Sequence, residues 1–462
     1  MKQFFAKHIL LDEGWANDVL LKVDCNGVIQ EIKPQSRIDH QFDGELISGS
    51  VIPGMVNNHS HAFQWAMAGL AEQSGQDSDS FWTWRNAMYN FVGKVTPDDL
   101  RIIASALYMQ MLKAGYTSVG EFHYLHHDIS GTHYSNQAEM SLQLFEAAKQ
   151  SGIGMTLLPV FYRYAGFGEQ PANQGQKRFI HDQEAYANLL SKISFLAKEY
   201  NQNFGIAPHS LRAVSGSDIK FAINTLDSLD RKAPIHIHIA EQVKEVSDCI
   251  AHYSQRPVDW LMKQFELNER WCLVHATHMT EQETFEVAQS KAVVSVCTTT
   301  EANLGDGFFN MMDYKKHQGR WSVGSDSHIT VSATEELRWL EYQQRLMNKS
   351  RTLLVDGDFS SNGHWLWTQA AIGGAQSLNR QAGKLKVGHK ADWLELDNNS
   401  IALIGKKDNQ LIDALIFNKQ AACNPIKAVW VNGQQYVEHG KHKAEAEIMK
   451  QFLPIMQKLL QD

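Results

Sequence analysis

Cysteine is scarce in this chain. Five occur in 462 residues, Cys25, Cys249, Cys272, Cys297 and Cys423, and no C-x-x-C pair is found among them. Sparse, scattered and odd in number, they argue against a disulfide framework and a thiolate metal site, and lead to the expectation of reduced thiols in a cytoplasm. Long apolar runs are missing too. None approaches the roughly 20 residues that cross a bilayer, so no membrane partner is expected. The opening "MKQFFAKHILLDEGW" is broken by charges, and its lack of an uninterrupted apolar core predicts no signal peptide. Blocks of like charge are absent: the net charge of -8 is spread along the chain, and nothing resembles the basic face that nucleic acid requires. There are no solenoid repeats and no low-complexity tract. No G-x-G-x-x-G follows the first strand-like run, which argues against a doubly wound open sheet.

What is present has the balance of an ordinary globular protein, with 43% hydrophobic and 20% charged residues. The length suits one large domain plus something smaller. Between about residue 50 and 330 a short apolar run alternates with a longer segment of helical periodicity. The runs are "SVIPGMVNNHSH", "YTSVGEFHY", "GIGMTLLPVFY", "NFGIAPHS", "PIHIHIAE", "RWCLVHATH", "KAVVSVCTT" and "GRWSVGSDSH". Such runs are what parallel strands buried on both faces look like. Thr96-Pro97-Asp98-Asp99 reads as a helix start, and Thr280–Glu283 and Ser332–Glu335 read as capping boxes. Eight such units predict an α/β fold, a (β/α)8 TIM-like barrel over residues 51–382. The two ends read instead as short strands with Asn26-Gly27 and Asn432-Gly433 as hairpin turns. They predict one small β-sandwich domain built from both termini, residues 1–50 and 383–462, closed by an amphipathic helix over 444–460.

Catalytic side chains of a (β/α)8 barrel sit at the C-terminal ends of its strands. Here the first run ends in His59-Ser60-His61, and the second in Glu121, His123 and Tyr124. The fourth ends in His209 with Arg212 beyond it, and the fifth carries His236, His238 and Glu241. The sixth ends in His275 and His278, the eighth in Asp326 and His328. Side chains two apart on a strand share a face, so His59 and His61 project together. Of His236 and His238, only the latter falls near the rim. Three imidazoles with Asp326 form a set that suits zinc with one position left for water; iron and manganese accept the same donors. A lone histidine at a strand end is usually just a hydrogen-bonded polar residue. That reading is kept for His123, His126, His127 and His133, and for a buried His236. His209 and His278 are read as facing the site, and His328 is left without a role.

The pattern resembles the amidohydrolase superfamily along nearly the whole chain: "VIPGMVNNHSH", "HIHIAEQ", "LVHATH", "VGSDSH" and "GKLKVGHKADWLELD" stand in that order. "HSHAFQWAMAGLAE", "FWTWRNAMY", "GEFHYLHHD", "APHSLRAVS" and "TTTEANLGDGFFN" resemble the branch that deiminates N-formimino-L-glutamate in histidine breakdown. Two positions depart from it: Trp65 stands where a basic residue is expected, and Thr298 where proline is. The resemblance implies one zinc ion on His59, His61, His238 and Asp326. The third and fourth runs lack the lysine that would bridge a second metal. It also implies roles. Asp326 takes a proton from the attacking water, Glu241 passes one to the leaving nitrogen, and His275 polarises the substrate. Arg85 and Arg212 hold its two carboxylates, because a guanidinium binds a carboxylate bidentately. Gln64, Tyr124 and His209 complete the substrate contacts. The partners expected are this small dicarboxylate and a second copy in a homodimer. The connection over 62–96 is a candidate lid. Two rivals remain: a purine aminohydrolase with the same metal ligands but a different rim, and a non-catalytic barrel.

Overall fold

The computed structural model describes residues 1–70, 72, 81–357, 360–418 and 424–460. Eight strands form the barrel: β1 (Met55–Ser60), β2 (Tyr116–His123), β3 (Gly154–Phe161), β4, β5 (Ile235–Ile239), β6 (Trp271–His275), β7 (Val293–Val296) and β8 (Arg320–Val323). β4 consists of two short pieces, Asn203–Phe204 and Ala207–Pro208. Every neighbouring pair is parallel. Val323 pairs with Asn57 to join β8 to β1, and a bridge between Ile206 and Ile235 joins β4 to β5, closing the ring. The strands of β1, β2, β3, β5, β6 and β7 are buried at every residue. Helices outside and side chains inside leave no face for water, which explains the near-continuous apolar runs.

The run expected as the first barrel strand breaks in two. Glu45–Pro53 belongs to the other sheet, pairing with Trp393–Leu396, and the barrel begins only at Met55. Pro53 has no N–H to extend a ladder. Gly54 lies so close to Thr117 that a Cβ there would fall 2.3 Å from its side chain. β4 is split at Gly205 for a similar reason: a Cβ would meet Pro234 O at 2.4 Å.

The terminal sheet has eight strands in the order Lys441–His442, Gln434–Glu438, Ile426–Val431, Trp393–Leu396, Glu45–Pro53, Lys2–Leu11, Gly14–Val23, Ile29–Lys33. Only Lys2–Leu11 and Glu45–Pro53 pair in parallel. The sheet curls so that its two halves face a shared core of Phe4, Val19, Leu21, Val23, Trp393 and Trp430. The two Asn-Gly turns meet: Ala391 N donates to Gly27 O, and Gly433 N to Ala391 O, each at 2.8 Å. Asn432 and Gly433 both take positive φ, 52° and 66°, as a two-residue hairpin turn demands.

Thr96 and Thr280 cap their helices with full capping boxes. Ser332 does not. Its side chain makes no cap bond and instead pairs with Thr334 Oγ1 at 3.2 Å. The last helix, Glu445–Leu460, lies on the first barrel helix, Pro97–Lys113, through Ile448 against Ala106 and Met109. It also explains Trp65, whose ring stacks on Phe452 at 5.1 Å. A basic residue would forfeit that contact. Below the barrel, the chain after helix Asn362–Ser377 closes the floor: Ser377 O accepts from His236 Nε2 at 2.7 Å and Leu378 O from Thr156 Oγ1 at 2.8 Å. His236 is thus a buried core histidine, held through Nε2 and not a member of the donor set. Within the 62–96 connection, residues 71 and 73–80 lie outside the described residues, and so does Cys423.

Candidate active site

The strand ends do not finish in relaxed backbone. Ala240, His275, Ala276, Asp326 and His328 all have positive φ between 48° and 67°. For residues with a Cβ this costs on the order of 1–3 kcal/mol each. The turns are held by hydrogen bonds between strand ends. Asp326 N donates to His59 O and His61 N to Asp326 O, at 3.0 and 3.2 Å. Ala276 N donates to Ile239 O at 3.0 Å.

At these strand ends, ligand-type atoms of His59, His61, His238 and Asp326 all lie within 4.8 Å of one another, every residue buried. His59 Nε2 is 3.1 Å from both His61 Nε2 and His238 Nε2, and Asp326 Oδ1 is 3.1 Å from His61 Nε2 and 3.5 Å from His59 Nε2. Buried imidazole nitrogens aimed at one another make poor partners. Nitrogen and oxygen donors at about 2.0–2.1 Å from a tetrahedral cation stand roughly 3.3 Å apart, and this set fits that spacing. His61 Nδ1 is 2.8 Å from Phe122 O and His238 Nδ1 3.3 Å from His209 O, which turns each Nε2 towards the shared point. Burial pushes the His59 imidazole down to about 3, keeping it neutral as a ligand must be.

Beneath the donors a polar chain fixes β1. Glu121 accepts from Ala62 N and Ser60 Oγ, both at 2.7 Å, and from Tyr108 at 3.1 Å. His328 lies between Ser325 Oγ and Ser60 Oγ, at 2.9 and 3.3 Å, so its place is in the support of β1 and not at the cavity. Burial pushes the Glu121 carboxyl up to about 7.

A cavity opens above the donors, lined by His61, Gln64, Arg85, Tyr124, His209, Arg212, His238, Glu241, His275 and Asp326 among others. Every residue expected to touch substrate therefore borders one space. Burial, with Asp326 and Glu245 nearby, pushes Glu241 up to about 7, against the pull of His275 and Arg212. Burial alone would depress His275, but Glu241, Glu301 and Asp326 around it push it up to about 10. Burial also works against the charge of Arg212, yet Tyr162, Glu245, Tyr89 and Glu241 keep its pKa above the ordinary value. Arg85 lies over the Tyr89 ring at 5.7 Å. Tyr124 Oη is 3.2 Å from His209 Nε2.

Other histidines stand apart. His126 and His127 lie against His181, ring centroids 4.7 and 4.6 Å away, and His123 against His126 at 5.2 Å. None of these, nor His133 or His278, lines the cavity. Sequence reasoning missed the contributions of β3 and β7. Tyr162, one residue past β3, and Thr300, in the helix Thr298–Leu304 after β7, both line the cavity. Thr298 departs from proline for a visible reason: its Oγ1 donates to Glu336 at 2.7 Å. A second set, His275, Cys297 and Glu301, also converges within 4.8 Å. Burial and the charges of Asp326, Glu301 and Glu336 hold the Cys297 thiol well above its ordinary pKa, so it is not a ready thiolate ligand.

The barrel agrees with what comparison with known proteins finds. Residues 50–436 match the model of the amidohydrolase family, and residues 1–40 that of the formimidoylglutamate deiminase HutF N-terminal domain. The chain is 45% identical over 460 residues to a formimidoylglutamate deiminase of Pseudomonas aeruginosa, with 100% of both chains covered. It is 25% identical over 420 residues to a 5-methylthioadenosine/S-adenosylhomocysteine deaminase of Saccharophagus degradans, covering 88% of this chain and 84% of that one. A solved amidohydrolase from Brucella melitensis superposes with a TM-score of 0.93 at 42% identity, over 100% of each chain. The chain belongs to the amidohydrolase family. Within that family it stands with the formimidoylglutamate deiminases.

Proposed function

We propose that this protein hydrolyses N-formimino-L-glutamate to N-formyl-L-glutamate and ammonia, a step of histidine degradation, with one zinc ion held by His59, His61, His238 and Asp326. The observation that carries the reading is the set of charged groups that border one cavity. The carboxylates of Glu241 and Asp326, the imidazole of His275 and the guanidinium groups of Arg85 and Arg212 all border the same space. The substrate carries the complementary groups, an amidine that is cationic at neutral pH and two carboxylates.

Zinc, when bound, lowers the pKa of water and polarises the carbon under attack. The chain's own residues do the rest. Asp326 accepts a proton from the attacking water as its oxygen bonds to the formimino carbon. The tetrahedral intermediate is steadied by His275. Glu241, held near neutrality and so able both to take and to give a proton, delivers one to the departing nitrogen. The C–N bond breaks, ammonia leaves and the formyl oxygen remains. Arg85 and Arg212 fix the glutamate portion by paired hydrogen bonds, with Gln64, Tyr124 and His209 beside them. A purine fits this rim poorly, since two guanidinium groups would face an uncharged ring. We place the enzyme in the cytoplasm, as a homodimer, with the barrel that begins at Met55 forming its catalytic domain.

The test is steady-state kinetics on N-formimino-L-glutamate beside N-formiminoglycine, which lacks one carboxylate. We expect kcat/KM to fall at least 100-fold for the shorter compound. Equal values would remove the two arginines from recognition and with them this assignment of substrate.

A further inference from the structure

We infer that Glu301 is a positioning residue, which holds His275 in the one ring orientation that faces Nε2 into the cavity. The inference rests on the proposed deimination, in which His275 acts. Glu301 is wholly buried. Its Oε1 accepts from Cys297 N at 2.9 Å and from His275 Nδ1 at 3.2 Å. The opposite ring nitrogen, Nε2, then stands 3.7 Å from Glu241 and 3.8 Å from Asp326. An ionised carboxylate can only accept, so with Glu301 ionised the proton between them belongs to His275 Nδ1.

Two further observations show why this contact is needed. His275 has a φ of 67°, a conformation its backbone does not favour, and Nδ1 has Glu301 as its anchor on the side away from the cavity. The short helix that carries Glu301 is itself braced. Glu336, also wholly buried, accepts from Thr298 Oγ1 at 2.7 Å, Thr299 N at 3.1 Å and Thr299 Oγ1 at 2.5 Å. Thr300 Oγ1 accepts from Ser327 N at 3.2 Å, gripping the residue after Asp326. The short helix after β7 supplies none of the four converging donors. It clamps the ends of β6 and β8 at a fixed distance, with Glu301 as the arm that reaches His275.

A purely structural role, accepting the Cys297 N–H, is the competing account, and three variants separate the two. Glu301→Ala should lower kcat by about 100-fold while KM and bound metal change little, the scale on which partners of catalytic and ligating histidines act. Glu301→Gln keeps an acceptor oxygen, and should recover to within about 10-fold of the parent. Combined with His275→Asn, Glu301→Ala should cost nothing further, because residues that act through one group are not additive. Independently of turnover, 15N spectra of histidine-labelled protein should show the His275 Nδ1 resonance, identified by its loss in His275→Asn, displaced in Glu301→Ala and nearly unmoved in Glu301→Gln. The proposal is overturned if Glu301→Ala costs the same factor with and without His275, or if the His275 resonances do not respond. Should the parent enzyme release no ammonia from N-formimino-L-glutamate, the substrate reading fails and the nitrogen spectra still decide on Glu301.

Discussion

Glu241 shows what burial does to one carboxyl group. Its pKa, pushed up to about 7, lets the same side chain hold or release a proton near neutral pH, as a general acid–base group must. Glu241→Gln keeps size and removes that exchange. It should bind one metal ion per chain as the parent does, by elemental analysis, while kcat falls by about 1,000-fold. Retention of full activity would exclude Glu241 from proton transfer. Arg212→Lys replaces a fork by a point charge, and KM should rise at least 10-fold with a smaller change in kcat; unchanged kinetics would mean the carboxylates are held elsewhere. Glu336 offers a test through stability. Burial pushes its carboxyl up from 4.5 to about 8. The folded chain then keeps a proton that the unfolded chain releases, so this group's contribution is full below pH 4.5 and is lost as pH rises towards 8. Glu336→Gln has no such loss, and its melting temperature relative to the parent should improve between pH 5 and pH 8. A pH-independent difference would contradict the shift. At this scale the sequence was most legible where residue type is rare in its setting. Histidines and carboxylates ending apolar runs stand out, and His59, His61, His238 and Asp326 do converge. Glu301, Thr300 and Tyr162 are of types common in turns and strands. Only the fold, which brings Glu301 to a histidine 26 residues upstream, marks them.

Strands and turns were legible from their runs, but not always their ends. The rhythm of apolar segments locates all eight barrel strands, yet it joins Val51–Pro53 to β1, because hydrophobicity is alike on both sides of the break. What separates them is a proline without an N–H and a glycine pressed against Thr117, which is a fact of packing. Ser332–Glu335 has the letters of a capping box without its bonds, since Ser332 turns to Thr334 instead. Thr96, with Pro97 behind it, has both. Glycine at a helix end is more dependable. Gly152 ends the helix Glu139–Ser151 with φ 82°, and a Cβ there would lie 1.8 Å from the ring of Tyr436 in the terminal sheet. Gly152→Ala should therefore lower stability by on the order of 1–3 kcal/mol, measured as a fall in melting temperature, with turnover per folded molecule preserved. A neutral substitution would mean that the barrel and the terminal sheet are not packed as closely as the structure has them.

As a whole, the molecule joins a rigid barrel to a curled sheet drawn from both ends of the chain, and crowds buried histidines round one point at the barrel mouth. A ligand that binds only the folded state stabilises it in proportion to its occupancy. Removing metal with a chelator should lower the melting temperature by several degrees, and one equivalent of zinc should restore it. The pairing of the two Asn-Gly turns through Ala391 was foreshadowed by their sequences, but the strand order that unites them was not, because register across nearly 400 residues leaves no local trace. The measurement that tests the central claim most directly is ammonia release by zinc-loaded protein in 18O-labelled water, from N-formimino-L-glutamate beside guanine and adenosine. Ammonia from N-formimino-L-glutamate alone, with one labelled oxygen in the N-formyl-L-glutamate formed, is the predicted result. Ammonia from a purine, with none from N-formimino-L-glutamate, would contradict it.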